Sequence, residues 1–149
     1  MIRIIDHPFQ ISNAVADFEK QAAGAGAIVT FSGLVRPQSA EGEVQTLHLQ
    51  AYSPMTENGI QKIAHAAQQR WSLSAVQVIH RIGDMAPGDA IVFVATAAPH
   101  RRAAFEAADF LMDYLKTEAI FWKKEITASE SRWIEPRAED YRDRTRWNQ

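Results

Sequence analysis

The chain has 149 residues, enough for one domain with a real hydrophobic core, and its 46% hydrophobic and 23% charged residues are those of an ordinary globular protein. Its 16 Lys and Arg against 18 Asp and Glu leave a net charge of -2, which argues against a general nucleic-acid binder. There is no cysteine, so disulfides, thiolate metal sites and catalytic thiols are excluded, and the redox compartment is left open. The start, MIRIIDHPFQ, has no extended apolar region of a secretory signal. The longest apolar run, 90-AIVFVATAAP-99, is too short to span a bilayer, so a cytoplasmic protein is expected.

IRII at 2–5 reads as a short strand. Ser12 can cap a helix running to about Ala23, which Gly24 and Gly26 end. The β-branched and apolar run 27-AIVTFSGLV-35 predicts a largely buried strand, and 36-RPQSAEGE-43 a mobile loop. In 44-VQTLHLQAY-52, Leu47, Leu49 and Ala51 share one face, which predicts a strand with one covered side. Ser53 and Pro54 are cap and first-turn residues of a helix whose stripe is Ile60, Ile63, Ala64, Ala67 and Trp71.

The stretch 75–82 alternates as a strand, 83-GDMAPGD-89 is turn chemistry, and 90–97 is another buried strand. A helix is predicted from about Arg102 to Thr117, then two short strands at 120–127 and 131–135 around the polar turn 128-ASES-131. Residues 1–136 form one domain, and the charged tail 137–149 reads as flexible. Several strand pairs are joined by turns rather than helices, which favours an α+β fold with mixed or antiparallel sheets.

The chemistry concentrates in 110-FLMDYLKTEAIFWKKE-125, which is apolar and aromatic yet carries Lys116, Lys123 and Lys124. A buried ammonium group costs free energy, so three lysines here need a reason. On a helix, Lys116 falls beside Phe105 and Met112 at the edge of the apolar stripe; the bland alternative is a surface pair with Asp113. On a strand, Phe121, Lys123 and Glu125 share one face and Trp122, Lys124 and Ile126 the other. Trp122 and Ile126 read as core-directed, which puts Lys123 on the accessible face; the bland alternative is a solvated strand face.

A second cluster, 98-APHRR-102, lies where a buried strand gives way to a helix. Free amide donors at a helix start, joined by His100, Arg101 and Arg102, make a candidate anion site, unless an arginine merely pairs with Glu106. Arg36 follows a strand end, where functional groups commonly sit. The five histidines lack metal-ligand spacing, and no phosphate-binding Gly-rich loop or nucleophile elbow is present, so no metal and no cofactor is expected.

TFSGLVR (30–36), VIHRIGDMAPGD (78–89), AAPHRRAAFEAADFLMDYLKTEAIFWKKE (97–125) and RWIE (132–135) together resemble the large, catalytic subunits of molybdopterin synthase, over roughly residues 7 to 136. That resemblance implies an α+β fold of the α/β-hammerhead type with an additional small β-sheet. It implies a homodimer that becomes a heterotetramer by holding two small ubiquitin-like sulfur-carrier subunits. The carrier inserts a C-terminal Gly-Gly thiocarboxylate, and two sulfurs pass in separate steps to cyclic pyranopterin monophosphate, creating the dithiolene of molybdopterin.

By the same resemblance, Lys116 and Lys123 are the catalytic lysines. Arg36, His100 and Arg101 belong to the substrate pocket, with Lys123, Lys124 and Glu125 along its border. Gln50 stands where the family pattern has a carboxylate, and 37–42 departs from it. Three other readings stay open: a non-catalytic module that binds a phosphorylated metabolite, a lysine Schiff-base enzyme, and a family member that has lost activity.

Overall fold

The structure, a computed structural model, describes residues 1–40 and 42–148. Glu41, inside the expected 36–43 loop, and Gln149, at the end of the tail, lie outside the described residues.

The elements run β1 (Ile2–Ile5), α1 (Ile11–Gln21), β2 (Ala27–Leu34), β3 (Gln38–Ser39), β4 (Gly42–Ala51), α2 (Met55–Trp71), β5 (Ala75–Arg81), β6 (Gly83–Met85), β7 (Ala90–Ala98), α3 (Arg101–Thr117), β8 (Phe121–Thr127), β9 (Ser131–Ile134) and α4 (Ala138–Thr145), followed by a 3-10 turn at Arg146–Asn148. One sheet has the order β1-β5-β7-β2, with β1 parallel to β5 and the other pairs antiparallel. A second has the order β3-β4-β8-β9, with β6 also paired to β4. This is the α+β arrangement the element pattern implied, with one mixed and one antiparallel sheet.

Strand alternation builds two cores on the first sheet. Val76, Val78, Val92 and Val94 face α2 and α3, where Ile60, Ala64, Ala104 and Leu111 complete the cluster. Ala75, Ile79, Phe93 and Ala95 point the other way, onto Ala14 and Phe18 of α1. Both faces of β5 are therefore covered and all seven of its residues are buried, although its sequence alternates. Burying one side chain such as Phe93 or Leu111 contributes roughly 1.5–3 kcal/mol. Gly59 lies under the Tyr114 side chain of α3: a Cβ there would sit 2.6 Å from the Tyr114 hydroxyl oxygen. An alanine, ordinarily favoured inside a helix by about 1 kcal/mol, would require the Tyr114 hydroxyl to move.

Several expectations change. β2 is an edge strand, so Ile28, Phe31 and Leu34 are exposed and the strand is not largely buried. α1 begins at Ile11 with Gln10 as its cap residue, leaving Ser12 within the first turn; Pro54, not Ser53, precedes α2. The 36–43 segment includes β3, which pairs with the start of β4. Residues 138–148 form a helix and a 3-10 turn, the helix laid on α3. No helix among the described residues is long and apolar enough to cross a membrane.

Candidate active site

The end of β2 and the consecutive elements α3 and β8, remote from it in sequence, converge at one place. Arg36 follows the end of β2, Lys116 lies in the last turn of α3, and Lys123 is the third residue of β8. All three line one cavity of about 190 Å³, closed on its far side by Ile134 and by residues around the start of α4, including Asp140. They also line an adjoining space of about 130 Å³ that Glu125 borders. Lys116 additionally edges an open apolar groove formed by Phe31, Phe105 and Met112.

The strand faces come out opposite to the sequence reading. Phe121, Lys123 and Glu125 point inward, and Trp122 points out, 51% exposed. Lys124 shares the outer face, with its Nζ 5.5 Å from the centre of the Trp133 ring. The reason is tertiary. Trp122 finds edge-on aromatic partners on the outer surface, Tyr52 at 6.2 Å and Trp133 at 6.3 Å. The inner face closes over the cavity. Period-two alternation gives two faces but not which one is covered.

Enclosure sets the chemistry of the lysines. Burial, and then the charge of Lys116, lowers the pKa of Lys123 to about 8; Arg36 lowers it further and Asp140 opposes. Lys116 is lowered too, first because burial strips water from its ammonium group, with Asp140 again opposing. The Asp113 carboxylate, its expected surface partner, is engaged by the C-terminal residues, its Oδ2 accepting from Arg146 at 2.8 Å and from the Trp147 indole. Glu125 is 9% exposed, and its Oε1 has no hydrogen-bond partner among the described residues. An orphaned carboxylate oxygen beside an open space is fitted to accept from a ligand N–H.

His100 and Arg101 sit exposed at the start of α3, outside the cavity lining, and the cap residue His100 makes no side-chain cap bond. Arg102 approaches Glu106 only at 4.0 Å, with 87% of the arginine side chain exposed. The structure thus brings together Arg36, Lys116, Lys123 and Glu125. It leaves Lys124 on the opposite face and the His-Arg pair apart.

Three residues near the site escaped the sequence reading. His80 is buried behind the lysines, stacked on Phe121 at 4.1 Å. Burial, with the charge of Lys123 next, pushes its pKa down to about 3. Asp140 and Arg137 enter from α4, and nothing in the charged composition of that stretch distinguished them from a solvated tail.

Residues 4–118 match the family model described as MoaE protein. The chain is 48% identical over 149 residues to the molybdopterin synthase catalytic subunit of Caulobacter vibrioides, covering 100% of this chain and 98% of that protein. It is 52% identical over 127 residues to the molybdopterin synthase catalytic subunit of Vibrio cholerae, covering 85% of each. The solved structure of the molybdopterin biosynthesis MoaE protein from Burkholderia ambifaria superposes with a TM-score of 0.84 at 41% identity, covering 100% of this chain and 98% of that one.

Proposed function

The chain belongs to the MoaE protein family, and from that premise we propose that it is the catalytic subunit of a molybdopterin synthase. In this reading it transfers two sulfurs, one at a time, from the C-terminal thiocarboxylate of a small ubiquitin-like carrier to cyclic pyranopterin monophosphate. The observation that carries the reading is the meeting of Arg36, Lys116 and Lys123 on one narrow cavity. Both reactants are anionic, which accounts for cationic groups at the edge of an apolar core. A Gly-Gly tail has no side chains to exclude it from a narrow passage. The chain lacks cysteine and cannot carry sulfur as a persulfide, so a partner must bring it.

The lysines supply two different properties. With a pKa of about 8, roughly a tenth of Lys123 is free amine at pH 7, enough to exchange a proton as sulfur adds to the pterin. Lys116, shared by the cavity and the apolar groove, meets the terminal carbonyl of the carrier. Arg36 holds the substrate phosphate, and Glu125 accepts from the pterin ring. His100 and Arg101 keep their place in the reading as anion-binding groups. A homodimer is the arrangement that would bring a second copy's pair toward the cavity, and it becomes a heterotetramer with two carriers.

Reconstitution tests this. Mixed with a thiocarboxylated carrier and cyclic pyranopterin monophosphate, the protein should yield molybdopterin, and a carrier ending in an ordinary carboxylate should yield none. No product with active reactants would overturn the proposal. A metabolite-binding module would instead bind the pterin with no need of either lysine.

A further inference from the structure

Asp140 lines the same cavity as Lys116 and Lys123, yet it comes from a stretch whose sequence reads as a solvated tail. Its side chain is only 12% exposed. Two sets of contacts hold it. Locally, the Arg137 backbone N–H donates to its Oδ2 at 3.0 Å and the Arg137 guanidinium to its Oδ1 at 3.3 Å, closing the first turn of α4. Farther along, the strap is fastened to α3. Arg144 pairs with Glu118, and Arg146 reaches Asp109 at 2.9 Å and Asp113 at 2.8 Å. The Trp147 indole donates to Asp113 and packs edge-on against Trp71 and Phe110. Arg70 lies 5.7 Å from the centre of the Trp147 ring and donates to its backbone carbonyl at 3.1 Å. An eight-residue helix with no buried residue does not persist by itself, so these contacts are what keep α4 at the cavity.

We propose that the C-terminal strap is a working part of the site: Asp140 is a positioning residue that fixes the charge of the Lys116–Lys123 pair, and the Trp147–Asp113 latch holds it there. The inference rests on the sulfur-transfer reading of the cavity. Two ammonium groups share a confined space with the guanidinium of Arg36, and Arg137 adds a further cation at the rim. Asp140 is the carboxylate that favours the charged form of both lysines, and Lys116 in turn favours the ionised form of Asp140. Glu135 shares the cavity, Glu125 borders the adjoining space, and His80 behind them is neutral at ordinary pH. With the strap docked, the pair keeps enough positive charge to receive an anionic tail. With the strap displaced, more of each lysine is free amine.

Competitive acetylation of the isolated protein at stepped pH, read by peptide mass spectrometry, reports the titration of each lysine with no carrier present. In Asp140→Asn the Lys123 midpoint should fall by about half a pH unit, which makes it about threefold more reactive at pH 7. Asp140→Glu should restore the wild-type midpoint, which a merely structural role would not predict. Trp147→Ala should shift it in the same direction as Asp140→Asn. A wild-type midpoint in Asp140→Asn overturns the role of Asp140, and one in Trp147→Ala overturns the latch. Failure of the unaltered protein to transfer sulfur would instead strike at the functional reading and leave these midpoints unaffected.

Discussion

His80 lies face to face with Phe121, ring centroids 4.1 Å apart and planes 24° from parallel, so the buried strand β5 forms the floor beneath the lysines. Its Nδ1 is 3.1 Å from the carbonyl oxygen of Arg81, an arrangement in which the ring donates to that oxygen. A further cation here would repel Lys116 and Lys123; burial keeps the ring neutral instead. Because the folded pKa of about 3 lies below the ordinary 6.5, protonation favours the unfolded chain. The stability that the neutral ring permits is complete above about pH 6.5 and is lost as pH falls toward 3. His80→Gln should therefore be less stable than wild type at pH 7 but lose less between pH 6.5 and 4. Urea midpoints across that window check this, and parallel pH slopes for the two proteins would sink it.

Lys116→Ala and Lys123→Ala should each slow single-turnover sulfur transfer by roughly 100- to 10,000-fold at saturating carrier. Melting temperature and carrier binding should change little, because neither ammonium group anchors a core cluster. Lys116→Arg should also fail, since a guanidinium stays charged and is no nucleophile. A near-wild-type rate for Lys116→Ala would remove it from the mechanism.

The rate of sulfur transfer should rise about tenfold per pH unit below a midpoint near 8 and level off above it, if the Lys123 amine is the reacting form. The same lowered pKa has a stability consequence of opposite sense to that of a salt-bridged lysine. The fold disfavours the ammonium form, so stability is least below about pH 8 and rises as the solution approaches pH 10.5. A pH-rate profile that is flat from 6 to 9 would contradict this assignment.

Arg36→Ala should weaken pterin binding by about 10- to 100-fold, the size of one lost charge-assisted hydrogen bond. Arg36 lines both lysine-bearing spaces, so binding by isothermal calorimetry reads it directly. Arg101→Ala should weaken binding as well, and the effect should grow with protein concentration if a second copy contributes that residue. Wild-type affinity in either variant would withdraw that arginine from the pocket.

Lys124→Ala should keep most of the wild-type rate, because the side chain stands over Trp133 on the face away from the cavity. Its loss removes a cation–π contact of about 0.5–1 kcal/mol at an exposed site. A rate as low as that of Lys123→Ala would place Lys124 within the reaction.

The sequence by itself determined the elements and the chemistry on offer. Period 3.6 in α2 and α3, β-branched runs in β2, β5 and β7, and Gly or Ser turns between them made the helices and strands legible, because those signals are local. Lys116 and Lys123 stood out for the same reason: an ammonium group set among apolar residues is anomalous in any fold.

Only the tertiary structure decided which surfaces are covered. Trp122 faces out and Lys123 in, because the end of α3 and the start of α4 cover one face of β8, and no period along a strand records that choice. β2 is exposed because it ends the sheet, and the order of strands is not written in any one of them. Asp140 reaches the lysines because Trp147 and Arg146 fasten the strap to Asp109 and Asp113 more than thirty residues away. Composition showed that stretch only as charged; packing across the chain turns it into one wall of the cavity.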